Sequence, residues 1–177
     1  MLLTQLCLYK ILNTSEEINL MNQKNEIIAL LRYEEGVRYT PYIDSLGYPT
    51  SGVGFKLGPH GAPLKNYTFT LNDKTIDAWL NNNIERVQAA MIQNHEIAGA
   101  LSYCSQPRED ILTSMAYQMG VGGLGGFHQM LKMITQENWD GAASQMLNSV
   151  WARQTPDRAK RHAEVMKSGE WQPTYFV

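Results

Sequence analysis

Two carboxylates and a hydroxyl, Glu35, Asp44 and Thr50, fall within one short stretch of this chain, from Tyr33 to Gly54. Residues of these types can hydrolyse a glycosidic bond. That reaction needs one carboxylic acid to protonate the leaving oxygen and one carboxylate on the opposite face, either to attack or to activate a water. Glu35 suits the acid role, because a helix end packed on apolar neighbours favours the protonated carboxyl by desolvation. Asp44, in a polar turn next to Ser45, is expected to stay ionised. Thr50 adds a hydroxyl that can hold the attacking water together with Asp44, which favours inversion and a carboxyl separation of roughly 6.5–9.5 Å. A Glu-Gly pair that ends a helix and an aspartate in a turn are also common structural devices, so spacing alone leaves both readings open.

These side chains need a rigid support on one side and a tight turn on the other. From Asn22, the apolar residues Ile27, Ile28, Leu30 and Leu31 recur with helical spacing as far as Glu34-Glu35, and Gly36 stops the pattern. Between Val37 and Gly58 the period becomes strand-like. Val37, Tyr39, Ile43, Tyr48, Val53 and Phe55 are separated by prolines and glycines, which predicts short antiparallel strands joined by tight turns. Pro59 to Lys65 reads as a loop. Thr70 or Asn72 caps the next helix, on which Ile76, Trp79, Leu80, Ile84 and Val87 share a face.

The remainder reads as helices with short breaks. Gly99 and Ser105-Gln106-Pro107 interrupt it, and Pro107 opens a helix with Ile111, Leu112, Met115, Ala116 and Met119 on one face. A glycine-rich break follows, then helical patterns around Met130–Ile134 and Trp139–Val150, and a last helix with Thr155 as its cap. The expected fold class is α+β with two lobes. A small antiparallel β lobe covers about 37–70, and a larger helical lobe combines 22–36 with 71–177, with a ligand cleft between them. Residues 1–21 form an extension in which Thr14-Ser15-Glu16-Glu17 can cap a short helix before Met21, and no role follows from it.

Composition narrows the partners. With 177 residues, 44% of them apolar, the chain can bury a substantial core. Its 15 basic and 17 acidic residues give a net charge of -2, so no whole-molecule field favours nucleic acid, and charge arguments must be local. Cys7 and Cys104 are read as free thiols, and the spacing of His60, His95, His128 and His162 predicts no metal site. No apolar run reaches the ~18 residues of a membrane span. The leucine-rich first twelve residues lack the basic region and cleavage site of a secretory signal.

Several ordered blocks carry a resemblance. The run Glu35-Gly36-x-Arg38 through Tyr42-x-Asp44-x-x-Gly47-Tyr48-x-Thr50-x-Gly52-x-Gly54 resembles the active-site segment of phage-type lysozymes, especially those of T-even phages. Gln118-Met119-Gly120 with Gly126-Phe127, then Asn138-Trp139-Asp140-x-Ala142-Ala143, then Trp151-x-x-Gln154-Thr155-Pro156-x-Arg158-Ala159-Lys160-Arg161, are similar to later blocks of that family, in the same order. The similarity covers about residues 22 to 171. It implies a muramidase that needs no cofactor and cleaves the β-1,4 bond between N-acetylmuramic acid and N-acetylglucosamine in peptidoglycan glycan strands. Glu35 then matches the general acid, Asp44 the second carboxylate and Thr50 the water-holding threonine. Arg158 matches an arginine that approaches the acid, and Arg161 can pair with Glu34. Saccharide contacts fall on Lys56, Tyr117, Gln118, Met130 and Gln145. Such an arginine favours the ionised acid while burial favours the protonated one, and the balance sets the pH optimum. A monomer is expected, either a virion component or a free endolysin; for an endolysin the resemblance implies that it waits in the host bacterial cytoplasm and reaches the cell wall at lysis through a holin-made pore.

The chain departs from the family at Phe55, where a histidine is usual, and at Gly58–Thr70, which aligns poorly; residues 1–20 have no counterpart. Apolar packing is expected to replace the polar contact at Phe55. Gly120-Val121-Gly122-Gly123-Leu124-Gly125 formally fits a dinucleotide-binding pattern, but a helix precedes it where that motif needs a strand, so it reads as a flexible inter-helix loop. Arg153, Arg158, Lys160 and Arg161 fit a solvated helix face or attraction to an anionic wall polymer, and no nucleic-acid docking motif accompanies them. Trp79, Trp139, Trp151 and the methionines read as core. Two other functions compete with the hydrolase: a lytic transglycosylase, which needs only one acid, and a catalytically silent wall-binding or virion structural protein.

Overall fold

The computed structural model describes residues 26–176. The expectations for the N-terminal extension, its capped helix and Cys7 lie outside the described residues. The first described helix, α1 (26–35), buries Ile27, Leu30 and Leu31 and leaves Glu34 and Glu35 on its last turn. Gly36 ends it with φ 72°, and its N–H donates to the carbonyl of Arg32 at 3.1 Å.

Three short strands follow, β1 (Arg38–Ile43), β2 (Pro49–Gly52) and β3 (Phe55–Lys56), in one antiparallel sheet of order β1-β2-β3. In this register Thr50 faces Tyr42 on one side and Lys56 on the other, so the central strand β2 carries the hydroxyl between two neighbours. All four residues of β2 are buried. A register irregularity separates Arg38 from Tyr42 in β1.

Helix α2 (Asp73–Met91) starts at Asn72, whose side chain accepts from the Thr75 N–H, and buries Ile76, Leu80, Ile84 and Met91. Arg32 of α1 donates to Asp77 at 2.6 Å and also binds Asp73, which the Tyr39 hydroxyl reaches at 2.9 Å. The start of α2 is thus tied to both α1 and the sheet.

The helical part continues as α3 (His95–Leu101), α4 (Gln106–Gly125), α5 (His128–Thr135), α6 (Trp139–Leu147), α7 (Val150–Gln154) and α8 (Pro156–Ser168). Residues 110–116 of α4 are all buried, as expected for a helix surrounded by others. Helices α2, α3 and α8 pack on it, and α6 packs on α5 and α8.

Three local expectations are corrected. Gly99 lies inside α3, and the chain breaks at Ile92–Asn94, where Asn94 caps α3 by accepting from the Glu96 and Ile97 N–H groups. The glycine-rich segment is not an open loop. Gly120, with φ 79° and ψ 158°, kinks α4, and Val121–Gly125 return to helix with Leu124 and Gly125 buried. Thr155 precedes α8, but its hydroxyl donates back to the Trp151 carbonyl at 3.1 Å and does not cap.

Candidate active site

Asp44 stands at the start of the turn between β1 and β2, where the Asp44 N–H donates to Tyr48 O and the Gly47 N–H to Asp44 O. Gly47 takes φ 83°, and a Cβ there would lie 2.7 Å from the His60 ring, so the turn needs glycine twice over. The Asp44 carboxylate closes this turn. Its Oδ1 accepts from the N–H groups of Leu46 and Tyr48, both at 2.9 Å. Oδ2 faces the Thr50 hydroxyl at 3.3 Å, and that hydroxyl also lies 3.1 Å from Tyr48 O. The Tyr48 N–H above all, then the Leu46 N–H, the Thr50 hydroxyl and the charge of Lys56, hold the Asp44 carboxyl below the usual carboxylate range. One oxygen is fully engaged by the backbone, while the other keeps lone pairs for a further partner.

Lys56, opposite Thr50 on β3, is exposed and places its ammonium 3.8 Å from the Tyr48 ring centroid. Thr50 itself is only 2% exposed. Phe55 packs edge-on against Trp79 at 5.0 Å between centroids. Its ring also covers Gly52, where a Cβ would sit 2.5 Å from Phe55 Cδ2.

Glu35 ends α1, and its Oε1 accepts from Arg158 Nη1 of α8 at 2.8 Å. The same guanidinium donates through Nε to Glu34 Oε2 at 3.1 Å and through Nη2 to the Glu34 carbonyl. Arg161, one turn on, grips the Glu34 carboxylate with Nε at 2.9 Å and Nη2 at 2.6 Å. The expected Arg158 and Arg161 contacts are therefore both present. Burial opposes the charge on Glu34, but the Arg161 hydrogen bonds and the nearby Arg158 bring its carboxyl below the ordinary range. Glu35 keeps 24% of its side chain exposed, whereas Glu34 keeps 2%. The outer carboxylate can meet a substrate and the inner one anchors the cations.

The remaining expected contacts divide into two groups. Tyr117 of α4 donates to Val53 O at 3.3 Å, tying the helices to the β2–β3 turn, and burial with the charge of Glu35 pushes its phenol up to about 12. Gln118 is exposed, and its Oε1 accepts from Trp151 Nε1 at 2.8 Å. Met130 is fully buried, so it offers only the wall of a cavity of about 470 Å³ that it shares with Gln145, Phe127, Val150 and Trp151. Trp151 thus connects Gln118 to that cavity. Among the cations near the last helix, Arg153 and Lys160 are exposed while Arg158 and Arg161 are committed to Glu34 and Glu35. Sequence reasoning missed Ser114, His162 and Tyr175, which back the Glu34 carboxylate. No local pattern marks them, because they come from three distant segments.

An α+β fold of the lysozyme type, with one carboxylate on a helix end and a second in a hairpin turn, is the class that this arrangement defines. The chain belongs to the phage lysozyme family, whose family model matches residues 32–164. It is 26% identical over 164 residues to a probable T4-type lysozyme of Dictyostelium discoideum, covering 82% of this chain and 95% of that protein. It is 28% identical over 164 residues to the pre-baseplate central spike protein Gp5 of Enterobacteria phage T4, covering 84% of this chain but 28% of that one. A peptidoglycan hydrolase, gp36 of Pseudomonas phage phiKMV, is 29% identical over 126 residues, which is 71% of this chain and 13% of that protein. The chain therefore spans a small part of the two phage proteins and nearly all of the Dictyostelium one.

Proposed function

We propose that this protein is a peptidoglycan hydrolase of the muramidase type, cleaving the β-1,4 bond between N-acetylmuramic acid and N-acetylglucosamine with inversion. The observation that carries this reading is the Asp44–Thr50 pair on the hairpin, matched by a separate carboxylate, Glu35, on the adjoining helix end. Glu35 donates the proton to the leaving oxygen. Asp44 Oδ2 takes a proton from a water that Thr50 helps to orient, and that water attacks the anomeric carbon. Fixing Oδ1 with two backbone N–H groups keeps Oδ2 aimed, so little reorganisation is needed as charge develops. The names of two relatives, a lysozyme and a peptidoglycan hydrolase, support the same substrate class. We place the enzyme in host lysis, acting on the wall after release from the cytoplasm.

The test is clearance of purified cell walls by the wild type and Glu35→Gln, with NMR of the first product. A general acid contributes roughly 10²–10⁴ in rate, so Glu35→Gln should lose at least about a hundredfold with unchanged circular dichroism. Inverted anomeric configuration supports the water-based mechanism. Retention would remove Thr50 from water positioning, and an anhydro-sugar end would make the enzyme a transglycosylase. Undiminished clearance by Glu35→Gln would sink the hydrolase assignment of this site.

A further inference from the structure

Behind the two glutamates runs a buried line of hydrogen bonds. Ser114 Oγ of α4 lies 3.0 Å from His162 Nε2 of α8, and His162 Nδ1 lies 3.3 Å from the Tyr175 hydroxyl. That hydroxyl in turn donates to Glu34 Oε1 at 3.2 Å. Tyr175 belongs to the 3-10 turn Pro173–Phe176 and is 3% exposed, wedged edge-on between Tyr33 and Trp171. His162 is fully buried, and its ring also meets Trp151 at 5.9 Å.

The donor pattern fixes the tautomer. An ionised Glu34 can only accept, so the Tyr175 proton points to Oε1, and the phenol oxygen must then accept from His162 Nδ1–H. Nε2 is left without a proton and accepts from Ser114. With His162 neutral, every member of the line is satisfied. Burial pushes its imidazolium form away, lowering the ring to about 3, with Glu34 acting the other way and Arg158 and Arg161 adding to the burial. The groups facing the imidazole are Ser114 from α4, Trp151 from α7, Tyr175 from the terminal turn and Glu34 from α1, with the two arginines beyond Glu34.

We infer that His162 is a positioning residue for catalysis, acting through Tyr175 and Glu34 to fix the Arg158 guanidinium against Glu35. Glu34 Oε1 is the shared acceptor of Tyr175 and Arg161, while Oε2 holds Arg158 and Arg161. With Tyr175 anchored by the imidazole, the Glu34 carboxylate has one orientation. Arg158 then keeps one hydrogen free for Glu35. Loss of the imidazole frees the phenol, lets the carboxylate rotate and loosens the Arg158–Glu35 contact. This inference rests on the reading of Glu35 as the general acid.

The experiment compares kcat, KM and the pH profile of wall hydrolysis for wild type, His162→Leu, His162→Asn and Tyr175→Phe, with Glu35→Gln as control. Tyr175→Phe keeps the ring that packs on Tyr33 and Trp171, so it tests the hydroxyl even if His162→Leu does not fold. Expected are a kcat about tenfold lower for His162→Leu and for Tyr175→Phe, the effect of one or two hydrogen bonds, with KM unchanged. The two substitutions combined should do no more than either alone. His162→Asn, whose amide can replace Nδ1–H, should recover most of the rate. Variants that lose thermal stability but keep the wild-type kcat and pH profile would overturn the inference while leaving the acid role intact. Activity retained by Glu35→Gln would instead overturn the acid role.

Discussion

Arg158 Nη1 lies 2.8 Å from Glu35 Oε1, and the arginine that makes this contact is itself only 8% exposed. An arginine so placed cannot be a loose surface cation. It is held by Glu34, whose side chain is nearly as buried as any apolar residue of α1, and it links α8 to the end of α1. The Arg158–Glu35 contact therefore depends on an ion cluster that also joins distant parts of the fold.

Removing Arg158 should then cost both stability and rate. Arg158→Met leaves Glu34 with Arg161 and Tyr175 alone, and breaking a buried pair from one side destabilises by about 3 kcal/mol. Glu34 has a depressed folded-state carboxyl, so its contribution is present above the ordinary glutamate range and is lost as pH falls through and below it. Urea midpoints of wild type and Arg158→Met should differ clearly at pH 7 and by less at pH 3, below the ordinary glutamate range. An equal gap at both pH values would show that the loss is one of packing alone.

The reach of the sequence follows the same division between local and distant. Gly36 as a helix stop, the Asp44 turn and the Asn72 cap are governed by residues within a few positions, and each stands where its pattern put it. Phe55 and its expected apolar packing were legible too. The helical run after Gly120 was not, because glycine disfavours helix and only burial of Leu124 and Gly125 against the rest of the molecule reverses that preference. The Glu34 cluster was half legible. The arginines appeared through the resemblance, whereas Tyr175 and His162 meet Glu34 only because α8 and the terminal turn fold back on α1. The resemblance to phage-type lysozymes pointed to Glu35, Asp44 and Thr50, but not to that histidine line.

Phe55→His should separate packing from chemistry on the sheet. The edge-on contact with Trp79 and the cover over Gly52 are lost, and aromatic pairs of this kind are worth about 0.5–1.5 kcal/mol beyond area burial. The unfolding midpoint should fall accordingly. Since Phe55 faces Trp79 while the neighbouring Lys56 stands opposite Thr50, wall-hydrolysis kcat should stay within about threefold, under 1 kcal/mol of barrier. A loss as large as that of Glu35→Gln would mean that the ring serves the reaction directly.

Asp110 sets a stability limit on the alkaline side. It is fully buried in the second turn of α4, Gln106 Nε2 donates to its Oδ1 at 2.9 Å, and its Oδ2 meets no hydrogen-bond partner among the described residues. Burial foremost, with Glu109 and Glu26 adding repulsion, pushes its carboxyl up to about 8. A raised folded-state value on an acid means that the native protein retains a proton which the unfolded chain has already released. Stability is therefore full below the ordinary aspartate range, near 4, and drains away as pH rises to about 8. Asp110→Asn keeps the oxygen that accepts from Gln106 and removes the titration. Melting temperatures measured from pH 5 to pH 9 should fall with pH in the wild type and fall distinctly less in the variant, with the two closest at the acid end. Parallel profiles would show that Asp110 is ionised in the native state throughout, and that the open Oδ2 is satisfied by water.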